Sequence, residues 1–443
     1  MRAMSLDQVV ALVVLTAVVA ALIWGKVRAD VVALAGAAAL LGAGTVRPSE
    51  VQGAFASPAL IALASLFVIS HAMELSGLLD ALVGLATRLC RVLGAFGLWL
   101  TIGLCGGASA FLNNTPIVVL ASPVVRDVAE SLGLSPRRFL IPLSYVTILG
   151  GSCTLIGTST NLLVNDMARN GGQPGFGLFE VTPVALAVAA AGGLYLLLVG
   201  ARLLEATHGR AAAGPPPEQA MAAAEADPAV AGPVGDSGLF ATRRPLRPVK
   251  AAAAAAVFAL VVTVAALGVL PIAAAAFAGA TLLILMRVIT PEEAYHGLRP
   301  EILMLIAGMV VVGLSLELTG LAAAATDAMV GVTRGLGPHL ALAALYGVTL
   351  LLTEVLSNAA VSVLLTPVAI ALAGSLGVNP RPFLVAVMMA ASAAFATPFG
   401  YQTNVLVFQM GRYSYMDFVK VGVPLNLITW LVAALAIPAV FPF

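Results

Sequence analysis

The 443 residues are 60% apolar and only 10% charged, with a mean hydropathy of +1.04. A soluble globular domain has no use for that composition, so the chain reads as an all-α polytopic membrane protein. Lys and Arg (22) nearly balance Asp and Glu (21), leaving a net charge of +1. That argues against a nucleic-acid partner and leaves no field to steer a charged ligand from afar.

The first apolar run, Val9 to Trp24, resembles a signal-peptide core but reads as a retained transmembrane helix, because the second half holds its counterpart. Spans are predicted over 8–25, 29–45 and 58–77, followed by a short amphipathic stretch. Next comes a segment, 95–130, with Asn113-Asn114-Thr115-Pro116 between two apolar arms. Its second arm, Pro116 to Val125, has ten residues before Arg126 and climbs only about 15 Å at about 1.5 Å per residue. A hydrocarbon core is about 30 Å thick, so the segment reads as a re-entrant hairpin with its polar tip near mid-membrane. Two further spans, 138–165 and 181–203, close the first half. Residues 206–249, rich in Ala, Pro and Gly, read as a disordered cytoplasmic linker. The second half repeats the plan with spans 251–269, 272–288, 301–318, 382–410 and 420–440 and a hairpin at 340–375.

A shift of 243 or 244 residues superimposes the halves. Pro48-Ser49-Glu50 meets Pro291-Glu292-Glu293, Glu74 to Leu78 meets Glu317 to Leu321, Asn114 meets Asn358, and TLIGTSTNLLV (Thr154 to Val164) meets TPFGYQTNVLV (Thr397 to Val407). Five spans per half is an odd number, so consecutive repeats face opposite ways, as in secondary transporters. With Lys26 and Arg28 taken as cytoplasmic, 17 of the 22 Lys and Arg fall on that face; Arg2, Arg47, Arg169, Arg334 and Arg381 fall on the other. Both termini are then outside, the first hairpin opens from the cytoplasm and the second from outside.

The chemistry is expected at the tips and at two helix breaks, Gly157 to Asn161 and Thr397 to Asn404. Glycine, proline and hydroxyl residues interrupt helices and free backbone carbonyls, which suit a hard cation, and N–H groups, which suit an anion. Asn113, Asn114, Thr115, Ser357 and Asn358 add amide and hydroxyl groups. Ser109 and Thr353 stand one helical turn before each tip as further cation ligands, although a back-bond to the helix is the common fate of such hydroxyls. No Arg or Lys lies near either tip in sequence. Glu74 and Glu317 are repeat-related, lie close to span ends and read as snorkelling or pairing at an interface; Glu354 is unmatched, and either couples protons or bonds the neighbouring backbone. His71, His208 and His296 carry no partner pattern, and Tyr401 and Phe399 either shape a pocket or pack as core. The cysteines Cys90, Cys105 and Cys153 read as small buried hydrophobes.

These motifs resemble the divalent anion/sodium symporter (DASS) family of the ion transporter superfamily. The resemblance runs over nearly the whole chain except the linker. It implies two inverted repeats of five transmembrane helices plus one re-entrant hairpin, and a homodimer in which a transport domain moves as an elevator against a scaffold. By position, 1–93 and 250–337 would be scaffold, 94–205 and 338–443 transport domain. Ser109, Asn113, Asn114 and Gly157 would hold one sodium ion, and Thr353, Ser357, Asn358, Thr397 and Gly400 the other. Thr115, Thr158, Pro398 and Gln402 would lie nearer the substrate, which the tip residues Asn113, Asn114, Ser357 and Asn358 would also touch. The second tip ends in Ala359 where dicarboxylate carriers usually present a hydroxyl, and the breaks look more like the branch associated with sulfate. The resulting expectation is a non-enzymatic, sodium-coupled symporter of a small divalent anion, sulfate or a C4-dicarboxylate, in the plasma (inner) membrane. A proton-coupled or arsenite-type carrier on the same fold, and an anion channel, are the competing readings.

Overall fold

A computed structural model describes residues 5–24, 26–205, 244–321 and 337–443. The first half forms α1 (Leu6–Trp24), α2 (Ala29–Gly42), a short α3 (Pro48–Phe55), α4 (Pro58–Leu75), α5 (Leu78–Leu93), α6 (Ala95–Ser109), α7 (Asn114–Ser131), α8 (Arg137–Gly151), α9 (Ser159–Asn170) and α10 (Thr182–Tyr195). A π-turn, Leu196–Gly200, leads from α10 into α11 (Ala201–Glu205). The second half forms α12 (Pro248–Ala266), α13 (Ile272–Leu285), α14 (Pro291–Gly297), α15 (Pro300–Leu318), α16 (Gly337–Thr353), α17 (Asn358–Leu376), α18 (Arg381–Ala391), α19 (Gln402–Met410) and α20 (Tyr415–Val440). Proline at the first position starts α4, α12, α14 and α15, where its missing N–H costs nothing.

The amphipathic stretch expected before the first hairpin is α5; its counterpart, 322–336, lies outside the described residues. So does most of the expected linker. Its end, 244–247, runs extended beside α4: the Arg247 amide donates to the Ser76 carbonyl at 2.9 Å, and Arg244 stands 3.7 Å from Glu74. Among the described residues six segments are long and apolar enough to cross a bilayer, α17 among them. Several other predicted spans are shorter helices; α2 and α13 have 14 residues each, about 21 Å.

One expectation about the first hairpin needs correcting. Its second arm does not stop at Arg126: α7 runs 18 residues, about 27 Å. The charges that seemed to end it lie on an exposed face, where Arg126 pairs with Glu130 one turn on at 3.0 Å. The chain nevertheless reverses at 110–113, and α6 and α7 pack together, as do α16 and α17. The hairpins therefore rest on the turn and not on a short arm.

The principal packings recur with the halves exchanged. Helix α2 packs on α15 and α13 on α4; α6 packs on α8 and α16 on α18; α9 packs on α17 and α19 on α7. Two groups of helices result, touching where α15 meets α17 and α4 meets α9. The core lies along α8 and α18, where Phe383 to Ala390 are buried without exception. Helices α6 and α8 cross closely: a Cβ on Gly106 would sit 2.6 Å from the Val146 side chain, and one on Gly150 would strike the Gly106 carbonyl. Small residues allow such backbone approach where lipid provides no hydrophobic drive.

Candidate functional site

Each tip is built the same way. Asn113 precedes α7 in an extended conformation (φ −58°, ψ 136°) and its side chain accepts from the Thr115 amide at 3.2 Å. Ser357 precedes α17 (φ −63°, ψ 144°) and accepts from the Ala360 amide at 3.3 Å. Beneath the tips, Ser109 donates to Asn114 Oδ1, and Thr353 donates to Asn358 Oδ1 at 2.8 Å. The hydroxyls thus meet the residue five positions on, not four as spacing suggested, because the helix ends between them and its periodicity lapses. Thr353 Oγ1 also stands 2.7 Å from the Ala391 carbonyl, so its one proton is shared between the tip and the end of α18.

The two breaks share a second device that sequence reasoning left out. Thr154 donates to the Ala110 carbonyl and accepts from the Gly157 amide at 3.1 Å. Thr397 donates to the Glu354 carbonyl at 3.4 Å and accepts from the Gly400 amide at 3.1 Å. Asn161 Nδ2 holds the carbonyls of Ser152 and Thr154 (3.3 and 2.9 Å), as Asn404 Nδ2 holds those of Ala394 and Thr397 (2.9 and 3.3 Å). The signal was present, since Thr154 aligns with Thr397 in the repeat.

Oxygen atoms crowd both breaks. A Cβ on Gly151 would lie 2.7 Å from Asn114 Oδ1 and 3.2 Å from the Gly157 carbonyl. One on Gly157 would strike the Gly151 carbonyl and lie 2.6 Å from that of Ala110. In the second break a Cβ on Gly400 would lie 3.1 Å from Thr397 Oγ1 and 3.5 Å from Glu354 Oε2. Such oxygens, neutral around Gly151 and Gly157 and joined by the Glu354 carboxyl at Gly400, suit a hard cation; among the described residues no cluster of His, Cys, Asp and Glu offers a transition-metal site.

The breaks and tips converge. Asn114 Nδ2 donates 2.8 Å to the Tyr401 hydroxyl, and Thr115 Oγ1 donates 2.7 Å to Gln402 Oε1, so the first tip is bonded to the second break. A cavity of about 110 Å³ opens there. Asn113, Thr158, Ser357 and Tyr401, the residues preceding α7, α9, α17 and α19, all line it. Neither Thr158 nor Tyr401 caps its own helix with its side chain, which leaves the first N–H groups of α9 and α19 to other partners. Leu63, Phe67 and Ser70 of α4, Phe258 of α12, and Ile302 and Leu305 of α15 form the opposite wall. That wall belongs to the other group of helices.

Of the residues singled out from sequence, Asn113, Thr115, Gly157, Thr158, Ser357, Asn358, Gly400 and Gln402 line the cavity. Ser109, Asn114 and Thr353 are buried beneath it. Pro398, expected near the substrate, is instead buried and outside the lining, because the loop turns Tyr401 and Gln402 inward in its place. Tyr401 is no mere core residue, given its bond to Asn114. Glu354 accepts through Oε1 from the Ala396 amide (2.8 Å) and Asn426 Nδ2 (2.7 Å); Oε2 is buried with no hydrogen-bond partner among the described residues. Glu74 pairs with His71 (3.4 Å) and Arg244, an arrangement that gives His71 the partner its sequence context did not suggest.

A cation also stands closer than the sequence implied. Arg299, remote from both tips in the chain, points Nη1 at Gln402 Oε1 from 3.4 Å.

The citrate transporter family model matches residues 19–377. An uncharacterized transporter of Synechocystis is 26% identical over 93% of this chain and 94% of its own. Sodium/sulfate cotransporter 1 of Chlamydomonas reinhardtii is 34% identical over 35% of this chain and 18% of its own. Among solved structures, Neisseria gonorrhoeae MtrF, described as one of a class of antimetabolite efflux pumps, superimposes with a TM-score of 0.57 at 12% identity, covering 90% of this chain and 83% of that one; this shows the fold alone. The family model spans most of the chain, and with six segments among the described residues long and apolar enough to cross a bilayer, the protein is a multi-pass membrane transporter of the citrate transporter family.

Proposed function

We propose that the chain is a sodium-coupled symporter of a small divalent anion, sulfate or a C4-dicarboxylate. The observation that carries this reading is the convergence of four helix N-termini, two from each half, on one cavity. Each end carries about half a positive charge, so together they offer about two, the complement of a dianion. The oxygens around Gly151, Gly157 and Gly400 receive the coupling ions, and the naming of similar proteins as sodium/sulfate cotransporters favours sodium for that role. Tips and breaks form the moving transport domain, while α2, α4, α13 and α15 form the scaffold of a homodimer, because the cavity lies where one group of helices meets the other. Both termini face outward in the plasma membrane on the Lys and Arg distribution.

Purified protein in liposomes tests the reading. Labelled sulfate and labelled succinate are offered with an inward sodium gradient and with choline in its place. Saturable uptake of either anion that requires sodium is expected. Uptake without sodium, or none of either anion, overturns the assignment.

One observation favours a second reading, proton coupling. Glu354 Oε2 is buried beside the second break with no hydrogen-bond partner among the described residues, and binding a proton would remove the charge that burial penalises. Uptake that persists without sodium and is lost in Glu354→Gln would establish it.

A further inference from the structure

We infer that Arg299, carried by the group of helices opposite the tips, is a positioning residue that sets the anion preference of the cavity through Gln402. This rests on the anion-carrier reading above. Gln402 lines the cavity and offers an amide whose two ends differ: the oxygen accepts and the nitrogen donates. Arg299 has only donors, so the end of the amide facing it must be the oxygen. The structure agrees, with Gln402 Oε1 taking Thr115 Oγ1 at 2.7 Å and Arg299 Nη1 at 3.4 Å. Two donors thus hold the oxygen away, and the amide nitrogen is left as the end that serves a ligand. A cavity lined by helix N-termini gains one more N–H donor, which an oxyanion accepts and a cation does not.

The wider surroundings of Arg299 fit this role. Glu301 and Glu74 lie within its electrostatic reach, yet neither carboxylate hydrogen-bonds to it among the described residues. It is partly buried just before the first turn of α15, two turns from Leu305 on the cavity wall. Thr115 and Gln402 belong to one group of helices and Arg299 to the other. The Arg299–Gln402 contact therefore exists only while the two groups stand as they do here. When the tips move away, the amide is released to turn, and the cavity loses the donor. Anion affinity becomes tied to the position of the transport domain without any residue of the tips changing.

The test is a double-mutant cycle in proteoliposomes, read as the KM for labelled sulfate and, separately, for sodium. Arg299→Gln is expected to raise the sulfate KM about tenfold, the loss of one charge-assisted hydrogen bond, with the sodium KM within twofold of wild type. Arg299→Lys, which keeps the charge but not the planar fork, falls between them. Gln402→Ala raises the sulfate KM by itself, and adding Arg299→Gln to it changes nothing further, because the residue through which Arg299 acts is gone. Additive effects in the double variant, or an unchanged sulfate KM in both Arg299 variants, overturn the inference while leaving the anion-carrier reading intact. Should Arg299→Gln fail to yield a monodisperse protein, Arg299→Lys with and without Gln402→Ala completes the cycle. Wild-type protein that carries no anion removes both readings together.

Discussion

Asn114→Ala is the most informative single change. Asn114 is 2% exposed, accepts from Ser109 through Oδ1 and donates 2.8 Å to the Tyr401 hydroxyl through Nδ2. Truncation removes both bonds, at about 1 kcal/mol each, and leaves the buried Ser109 hydroxyl and the partly buried Tyr401 hydroxyl to find new partners, so the site loses about 2–4 kcal/mol in all. It also removes an amide oxygen from the group around Gly151 and Gly157 that is proposed to receive a cation. Expressed in the sodium KM, that loss is about 30- to 1,000-fold, enough to abolish uptake at any practical sodium concentration. The assay is sodium-driven sulfate uptake in liposomes, with size-exclusion chromatography confirming an intact particle. Tyr401→Phe serves as a graded control: it removes one of the two bonds and keeps the ring, for about a fivefold rise. A monodisperse Asn114→Ala protein whose sodium KM stays within twofold of wild type would refute the reasoning.

The second tip should respond in parallel, with Asn358→Ala abolishing uptake and Thr353→Val weakening it, since Thr353 bonds both Asn358 and the end of α18; a normal rate in Asn358→Ala contradicts the repeat logic. Gly157→Ala places a methyl group against the carbonyls of Gly151 and Ala110 and should eliminate sodium dependence or uptake altogether, measured by the same assay. Away from the cavity, Arg137→Gln leaves Asp417, 1% exposed and 2.6 Å away, without its cation; thermal unfolding followed in detergent should show a loss of about 3–5 kcal/mol, and an unchanged midpoint would count against the pair. Glu354→Gln keeps the bond from the Ala396 amide, so sodium-driven uptake should survive at a reduced rate; complete loss would shift weight to proton coupling.

The sequence by itself determined the class and plan of this protein. Its composition, its repeat and the polar interruptions at Asn113 to Thr115 and Gly157 to Asn161 are one-dimensional signals, because a bilayer punishes any polar break that has no purpose. Repeat alignment also located the equivalent positions, Asn114 with Asn358 and Thr154 with Thr397. Tertiary structure decided everything that depends on distance across the chain. Tyr401 lies 287 residues from Asn114, and Arg299 103 residues from Gln402, and no periodicity links either pair. The same holds for helix length: α7 continues past Arg126 because the neighbouring Glu130 and an exposed face neutralise the charges that marked a stop in sequence. Local pattern says where a chain must leave its helix; only packing says which distant group waits for the atoms that this releases.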